Sequence, residues 1–153
     1  MELRVAEISD ACAITSLVNA AFRVEKFFID GDRIDIDQVK TFLGEGEFLL
    51  LEDGGGVAGC VYIKTGAERA YLGLLSIDPE RQRAGLGSRL VHAAEDRARE
   101  RGCSFLDLQI VNVRAELPVF YSGLGYTANG TAPFSTDAPT KMPCHFVKMW
   151  KAL

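Results

Sequence analysis

An apolar run that enters a basic, glycine-bearing turn and leaves it as an amphipathic helix restricts this chain more than any other stretch. Leu72-Gly73-Leu74-Leu75-Ser76-Ile77 reads as the body of a strand from Ala70 to Asp78, buried on both faces. Pro79 ends it, having no N–H to give a ladder. Arg81-Gln82-Arg83-Ala84-Gly85-Leu86-Gly87-Ser88 follows, and the spacing of Leu86, Leu90, Ala93, Ala94 and Ala98 predicts a helix from Gly85 to Arg101, stopped by Gly102. Ser104 to Val111 is again apolar, so residues 70–111 read as a parallel strand-helix-strand crossover, expected to be right-handed. Gly85 and Gly87 have no Cβ, so backbone N–H groups can approach an anion closely. Arg81 and Arg83 add charge, and the first helical turn adds unpaired donors. These parts make a cradle for phosphate or pyrophosphate, although a tight turn with no ligand would use the same glycines.

The rest of the chain supplies more strands and short helices. Leu3 to Ala6 is a strand, and Ser9 or Asp10 caps a helix with the apolar stripe Ile14, Leu17, Val18 and Ala21. Phe22 to Asp37 mixes aromatics and charges and reads as a loop running into a helix from Ile36 to Leu43. Glu47–Glu52 and Val57–Lys64 are strands joined at Asp53-Gly54-Gly55-Gly56, a strong hairpin signal. After residue 111 come a short helix, Ala115 to Ser122, a strand from Tyr126, a loop from Ala132 to Pro143 and a last strand from Cys144 to Lys151. Repeats, linkers and low-complexity tracts are absent from the sequence.

At 153 residues the chain fits one domain, 1–153, with room for a core that needs no disulfides. A net charge of −4 gives no drive toward nucleic acid, while the basic residues gather between positions 81 and 101, where a local anion site fits. Cys12, Cys60, Cys103 and Cys144 are too dispersed to pair by motif, and with two histidines they suggest no metal site. Cys60 and Cys144 sit in apolar runs, as buried free thiols of a reducing compartment do. Met1-Glu2-Leu3-Arg4-Val5 turns polar too early for a secretory signal, and no apolar run reaches membrane-spanning length, so the expectation is a cytoplasmic protein with no membrane partner.

Two familiar phosphate loops do not fit. Ser88 and Arg89 follow Gly87 where a Walker A loop needs Lys and then Ser or Thr, and Leu90 stands where a dinucleotide fingerprint needs its third glycine. A nucleotide-dependent kinase would also lack its lysine and magnesium ligands. Gln82-Arg83-Ala84-Gly85-Leu86-Gly87 instead resembles the Q/R-x-x-G-x-G/A loop of the GCN5-related N-acetyltransferases, the GNAT family. Phe120-Tyr121-Ser122-Gly123-Leu124-Gly125-Tyr126 lies within the stretch that resembles the family's tyrosine signature near its last helix. The order of elements agrees over nearly the whole chain. Arg33, Pro133-Phe134 and Pro143 to Met149 resemble a branch of the family with uncharacterised substrates.

The resemblance implies an α/β (α+β) fold: a mixed, mostly antiparallel sheet of about seven strands, four helices, and a central parallel pair that splays apart. It implies acetyl-CoA as co-substrate, with Gln82, Arg83, Ala84, Gly85, Leu86, Gly87 and Ser88 around the pyrophosphate. Leu75, Ser76 and Ile77 would offer backbone groups to the pantetheine arm. It also implies Tyr121 as the acid for the departing thiolate. A thiol titrates near 8.5 and a tyrosine near 10, so that proton transfer is only mildly uphill; packed against the sheet, the same tyrosine would be an ordinary helix-end aromatic. Many members carry asparagine seven residues before the tyrosine, where this chain has Arg114; Asn112 is the nearby candidate for a cofactor contact.

The strand from Tyr71 to Ile77 has no acid to serve as base, which leaves the base unassigned. His145, whose residue type titrates near 6.5, is one candidate and Glu116 another. A strand histidine with a structural hydrogen bond, or an acid favouring a helix dipole, explains each as well. Arg33 could meet a substrate carboxylate, or be a surface charge balanced by Asp30 and Asp32. The leading expectation is acetyl transfer from acetyl-CoA to a primary amine, small molecule or peptide, by direct attack. A non-catalytic acyl-CoA-binding or sensor module is the alternative, and the resemblance also admits a homodimer.

Overall fold

Alternating burial along the apolar runs builds a sheet covered on both sides. In the computed structural model, which describes residues 1–81, 85–134 and 139–153, seven strands form that sheet. They are β1 (Glu2–Val5), β2 (Glu47–Asp53), β3 (Gly56–Thr65), β4 (Arg69–Ile77), β5 (Phe105–Val111), β6 (Thr127–Pro133) and β7 (His145–Ala152), in the order β1-β2-β3-β4-β5-β7-β6. Only β4 and β5 run parallel; every other neighbouring pair is antiparallel. Gln82, Arg83 and Ala84 of the expected phosphate loop, and residues 135–138 of the expected loop from Ala132 to Pro143, lie outside the described residues.

The helices are α1 (Ala11–Ala21), α2 (Ile36–Glu45), α3 (Leu86–Glu100) and α4 (Glu116–Gly123). Strand side chains alternate faces, so β2 feeds two cores. Phe48 and Leu50 meet Ile14, Leu17 and Val18 of α1 and Val39 of α2 on one side. Leu49 and Leu51 share the other side with Leu90, Val91, Ala94 and Ala98 of α3 and with Tyr121 of α4. Asp35 caps α2 in a reciprocal box: its side chain accepts the Gln38 N–H at 2.8 Å, and the Gln38 side chain accepts the Asp35 N–H at 2.9 Å. Among the described residues no helix is long and apolar enough to cross a membrane.

Three local readings differ from the sequence expectation. Asp10 precedes α1 without capping it, because its carboxylate is taken by Arg4 at 2.8 Å through two nitrogens. The expected loop after α1 begins as a 3-10 helix, Phe22–Phe27, with three residues per turn placing Phe22, Glu25 and Phe28 on one side. The buried face of α3 includes Glu95 rather than Ala93, which is only partly buried. The Glu95 carboxylate accepts hydrogen bonds from Tyr126 Oη and Lys151 Nζ, both at 2.9 Å, which offset the burial of its charge.

Candidate active site

The site exists because β4 and β5 begin together and then part. They pair only at Arg69–Phe105, Ala70–Leu106 and Tyr71–Asp107. Beyond Tyr71 the two strands part, while β5 stays paired with β7 along its other edge from Phe105 to Val111. The edge of β4 that faces β5 therefore loses its ladder from Leu72 onward, and a ligand can take the place of the missing strand.

A bulge aims that edge. Tyr62 faces Gly73 and Cys60 faces Ser76, so Leu74 and Leu75 together oppose Val61. Leu74 adopts φ +52°, a left-handed conformation that costs a non-glycine residue about 1–2 kcal/mol. The Ser76 hydroxyl closes the bulge by donating to the Leu74 carbonyl at 2.9 Å. Leu75 and Ile77 line the resulting cleft; Ser76 is buried away from it, so only its backbone could serve a ligand.

The cleft, about 430 Å³, passes through the sheet. Its walls are Tyr71 to Leu75 and Ile77 of β4 and Leu108 to Val111 of β5. Gly87, Leu117, Phe120 and Tyr121 line it on the α3–α4 side, and Phe22, Glu25 and Arg33 on the α1 side. Gly87 is in the first turn of α3, where unpaired N–H groups and the positive helix end gather. A Cβ at Gly87 would come within 3.3 Å of the Phe120 ring, so the missing side chain keeps this entrance open. Gly85, at φ +93°, makes the turn into the helix. Leu86 points into the core and Ser88 is half-buried outside the cleft wall, which leaves their backbones to face an anion. Arg81 is already engaged: its guanidinium meets the Asp53 carboxylate and donates to the Gly56 carbonyl at 2.9 Å, tying the hairpin to the end of β4.

Tyr121 is 5% exposed, and its hydroxyl is hydrogen bonded to no described residue. Burial pushes that hydroxyl well above its ordinary pKa, with Arg114 pulling weakly the other way. The group stays protonated across the working range, the state a proton donor needs.

The other expected residues divide. Asn112 and His145 hold each other: His145 N–H donates to Asn112 Oδ1 at 2.8 Å, and Asn112 N–H to the His145 carbonyl at 2.9 Å. Neither lines the cleft; the His145 side chain is exposed, while the adjacent Phe146 lines the wall. Glu116 is turned outward, held by Arg114 Nε at 2.8 Å. Arg33, by contrast, lies over the cleft, its guanidinium 5.5 Å from the centre of the Phe22 ring.

Glu25 is the site residue that sequence reading passed over. It is 6% exposed, and Oε2 accepts from Arg114 Nη1 at 3.2 Å. Oε1 accepts no hydrogen bond from a described residue and is open to solvent. Burial raises its pKa above the ordinary carboxylate range, opposed by the charges of Arg114 and Arg33. Phe22-x-x-Glu25-x-x-Phe28, a three-residue period, was the available signal.

A splayed parallel pair, a bulged strand, a glycine turn into a helix and a buried tyrosine thus meet at one cleft. Residues 13–126 match the Acetyltransferase (GNAT) family model, and the chain belongs to that family of acetyltransferases. No curated protein is a significant match to the chain. Among solved structures it is similar to the ribosomal-protein-alanine N-acetyltransferase of Brucella melitensis, at 19% identity and TM-score 0.80, with 100% of each chain covered. It is similar also to YncA of Salmonella typhimurium with its cofactor acetyl-CoA, at 22% identity and TM-score 0.76, covering 100% of this chain and 94% of that one. An aminoglycoside 6′-N-acetyltransferase complexed with coenzyme A matches at 18% identity and TM-score 0.75, over 99% and 97% of the two chains. At such identities the likeness is one of fold.

Proposed function

We propose that residues 1–153 act as one acetyl-CoA-dependent N-acetyltransferase unit, cytoplasmic, that acetylates a primary amine by direct attack. The observation that carries this reading is the cleft through the sheet, with Gly87 and Tyr121 on one side and Glu25 and Arg33 on the other. The thioester carbon would sit in the splay, with acetyl-CoA entering from one face and the amine reaching it from the other.

The α3 N-terminus and the backbone around Gly85 and Gly87 suit the pyrophosphate, and the freed edge of Leu72 to Ile77 suits the pantetheine amides. Bound there, acetyl-CoA supplies the activated acyl group. Glu25 Oε1 takes the first proton of the acceptor ammonium and passes it to solvent. The neutral nitrogen attacks the carbonyl carbon; the C–N bond forms and the C–S bond breaks. Tyr121 gives its proton to the departing sulfur and is restored by the second proton shed from nitrogen. Positioning supplies most of the rate, and each proton transfer adds about a hundredfold or more.

Calorimetry with acetyl-CoA, followed by thiol release over a panel of primary amines, tests the reading. Tight binding with amine-dependent thiol release is expected. Binding without turnover on any amine would favour a non-catalytic acyl-CoA module instead.

A further inference from the structure

Beside the cleft on the α1 side lies a smaller pocket, about 90 Å³, which shares Phe22, Glu25, Arg33, Phe134 and Phe146 with it. Resting on the acetyltransferase reading, we infer that this pocket selects an acceptor bearing a carboxylate as well as its amine, a free amino acid or similar small amino-carboxylate, with the ammonium at Glu25 and the carboxylate at Arg33.

The charges around the pocket carry this inference. Asp30 is neutralised by Lys141 at 3.0 Å, and Glu25 already holds Arg114 through one oxygen. Arg23, Lys26 and Arg33 also line the pocket, and none has a carboxylate within ion-pair distance among the described residues; Asp32 is the acid left to oppose them. The lining sets three bases against three acids, and with Lys141 and Arg114 paired to Asp30, Glu25 and Glu116 the rim keeps a small positive excess around one buried carboxylate whose second oxygen is open. A polycation such as an aminoglycoside or polyamine would set its further amines against that excess. An amino-carboxylate satisfies both signs at once.

Geometry agrees with the charge. Glu25 borders both spaces, so an ammonium held there stands at the entrance to the cleft where Tyr121 waits. Arg33 lies over Phe22 with no carboxylate in ion-pair distance among the described residues, and a planar guanidinium binds a carboxylate through two parallel bonds. Phe134, whose ring centre lies 4.9 Å from that of Phe146, offers an apolar wall for the body between the two charges.

The test compares free L-amino acids with their primary amides, which keep the amine and delete only the carboxylate charge. Thiol release from acetyl-CoA and calorimetry on the CoA-loaded protein are both read. At least one amino acid should exceed its amide about tenfold or more in kcat/KM and in affinity, the size of one good charge-assisted bond. Arg33→Met should bring that ratio close to one, chiefly through KM, while circular dichroism stays native. If acetyl-CoA itself does not bind, the acetyltransferase reading fails. If it binds and every amide or polyamine equals or beats the amino acids, including the case where none binds, the reading of the pocket is overturned. An Arg33→Met variant that keeps the preference would overturn it too.

Discussion

Arg114 Nη1 reaches Glu25 Oε2 at 3.2 Å, across 89 residues of sequence, and so joins the segment after α1 to the segment before α4. The pair leaves Glu25 ionised less easily than an exposed acid but more easily than a buried one alone. Removing Arg114 takes away a stabilising cation, so the Glu25 carboxyl should titrate higher still. The acidic limb of kcat/KM, which rises as Glu25 loses its proton, should therefore move to higher pH in Arg114→Met. Glu25→Gln should lower kcat/KM about a hundredfold near neutrality and abolish that limb. A Glu25→Gln enzyme with the parental pH profile would assign the proton to another acceptor.

Tyr121→Phe retains the ring, which packs 4.9 Å from Phe120 and 5.8 Å from Tyr126, and deletes the hydroxyl alone. Loss of a general acid should reduce kcat about a hundredfold or more, roughly 2.7 kcal/mol of barrier, with acetyl-CoA affinity nearly constant. Because burial raises the hydroxyl's pKa, no alkaline limb from Tyr121 is expected below about pH 10. Stopped-flow turnover and calorimetry separate the two effects.

Gly87→Val should block coenzyme binding with little loss of fold, since its added carbons enter the cleft mouth against Phe120. Gly85→Val acts differently. Nothing surrounds the new side chain, but φ +93° strains any L residue, at about 1–2 kcal/mol. Calorimetric titration with CoA should find Gly87→Val non-binding; unchanged affinity in a folded variant would remove the pyrophosphate site from α3.

Glu95 makes stability depend on acid. Burial alone would raise its pKa, yet Lys151, His92 and Tyr126 hold it below the ordinary value. The folded protein thus binds this proton more weakly than the unfolded chain. The stabilisation is fully present above the unfolded pKa near 4.5 and is lost as pH falls through the lower, folded one. Glu95→Gln should cost roughly 1–3 kcal/mol at pH 7, a gap that narrows below pH 4.5. Urea melts at pH 7 and pH 3.5 measure it, and equal gaps at both would count against the network.

All four cysteines are free thiols of unequal access. Burial pushes Cys60 up to about 12, so it should react with a thiol reagent only on unfolding. Exposed Cys12 should react first, Cys144 next, and buried Cys103 with Cys60. Peptide mapping of the labelled native protein gives the order.

The strand-helix-strand unit, the hairpin at Asp53 and both family motifs were legible because each depends on local chemistry: glycine turns, apolar runs, helical spacing. The two-sided burial expected of Leu72 to Ile77 was not met, since Leu74, Leu75 and Ile77 are half-buried at the cleft. The positive φ of Leu74 was not legible. A leucine gives no sign that register across β3 will force it left-handed. Glu25 and Glu95 look in sequence like solvated acids. Their burial depends on Arg114 and Lys151, residues 89 and 56 positions away, and no pattern within one element encodes such partners. Asn112 and His145 run the opposite way: sequence offered them as site residues, and the structure holds them to each other beyond β5 and outside the cleft wall.

The three residue pairs that join β4 to β5 make a vertex, and everything beyond is the opening of a V. At that vertex Arg69 forks onto Asp107 at 2.6 and 2.8 Å and lies 4.6 Å from the centre of the Phe105 ring, with Trp150 next to it. β1 to β4 form one arm and β5, β7 and β6 the other. A small change of angle at Arg69 is magnified with distance along the arms, so the gauge of the cleft is set by residues that do not line it.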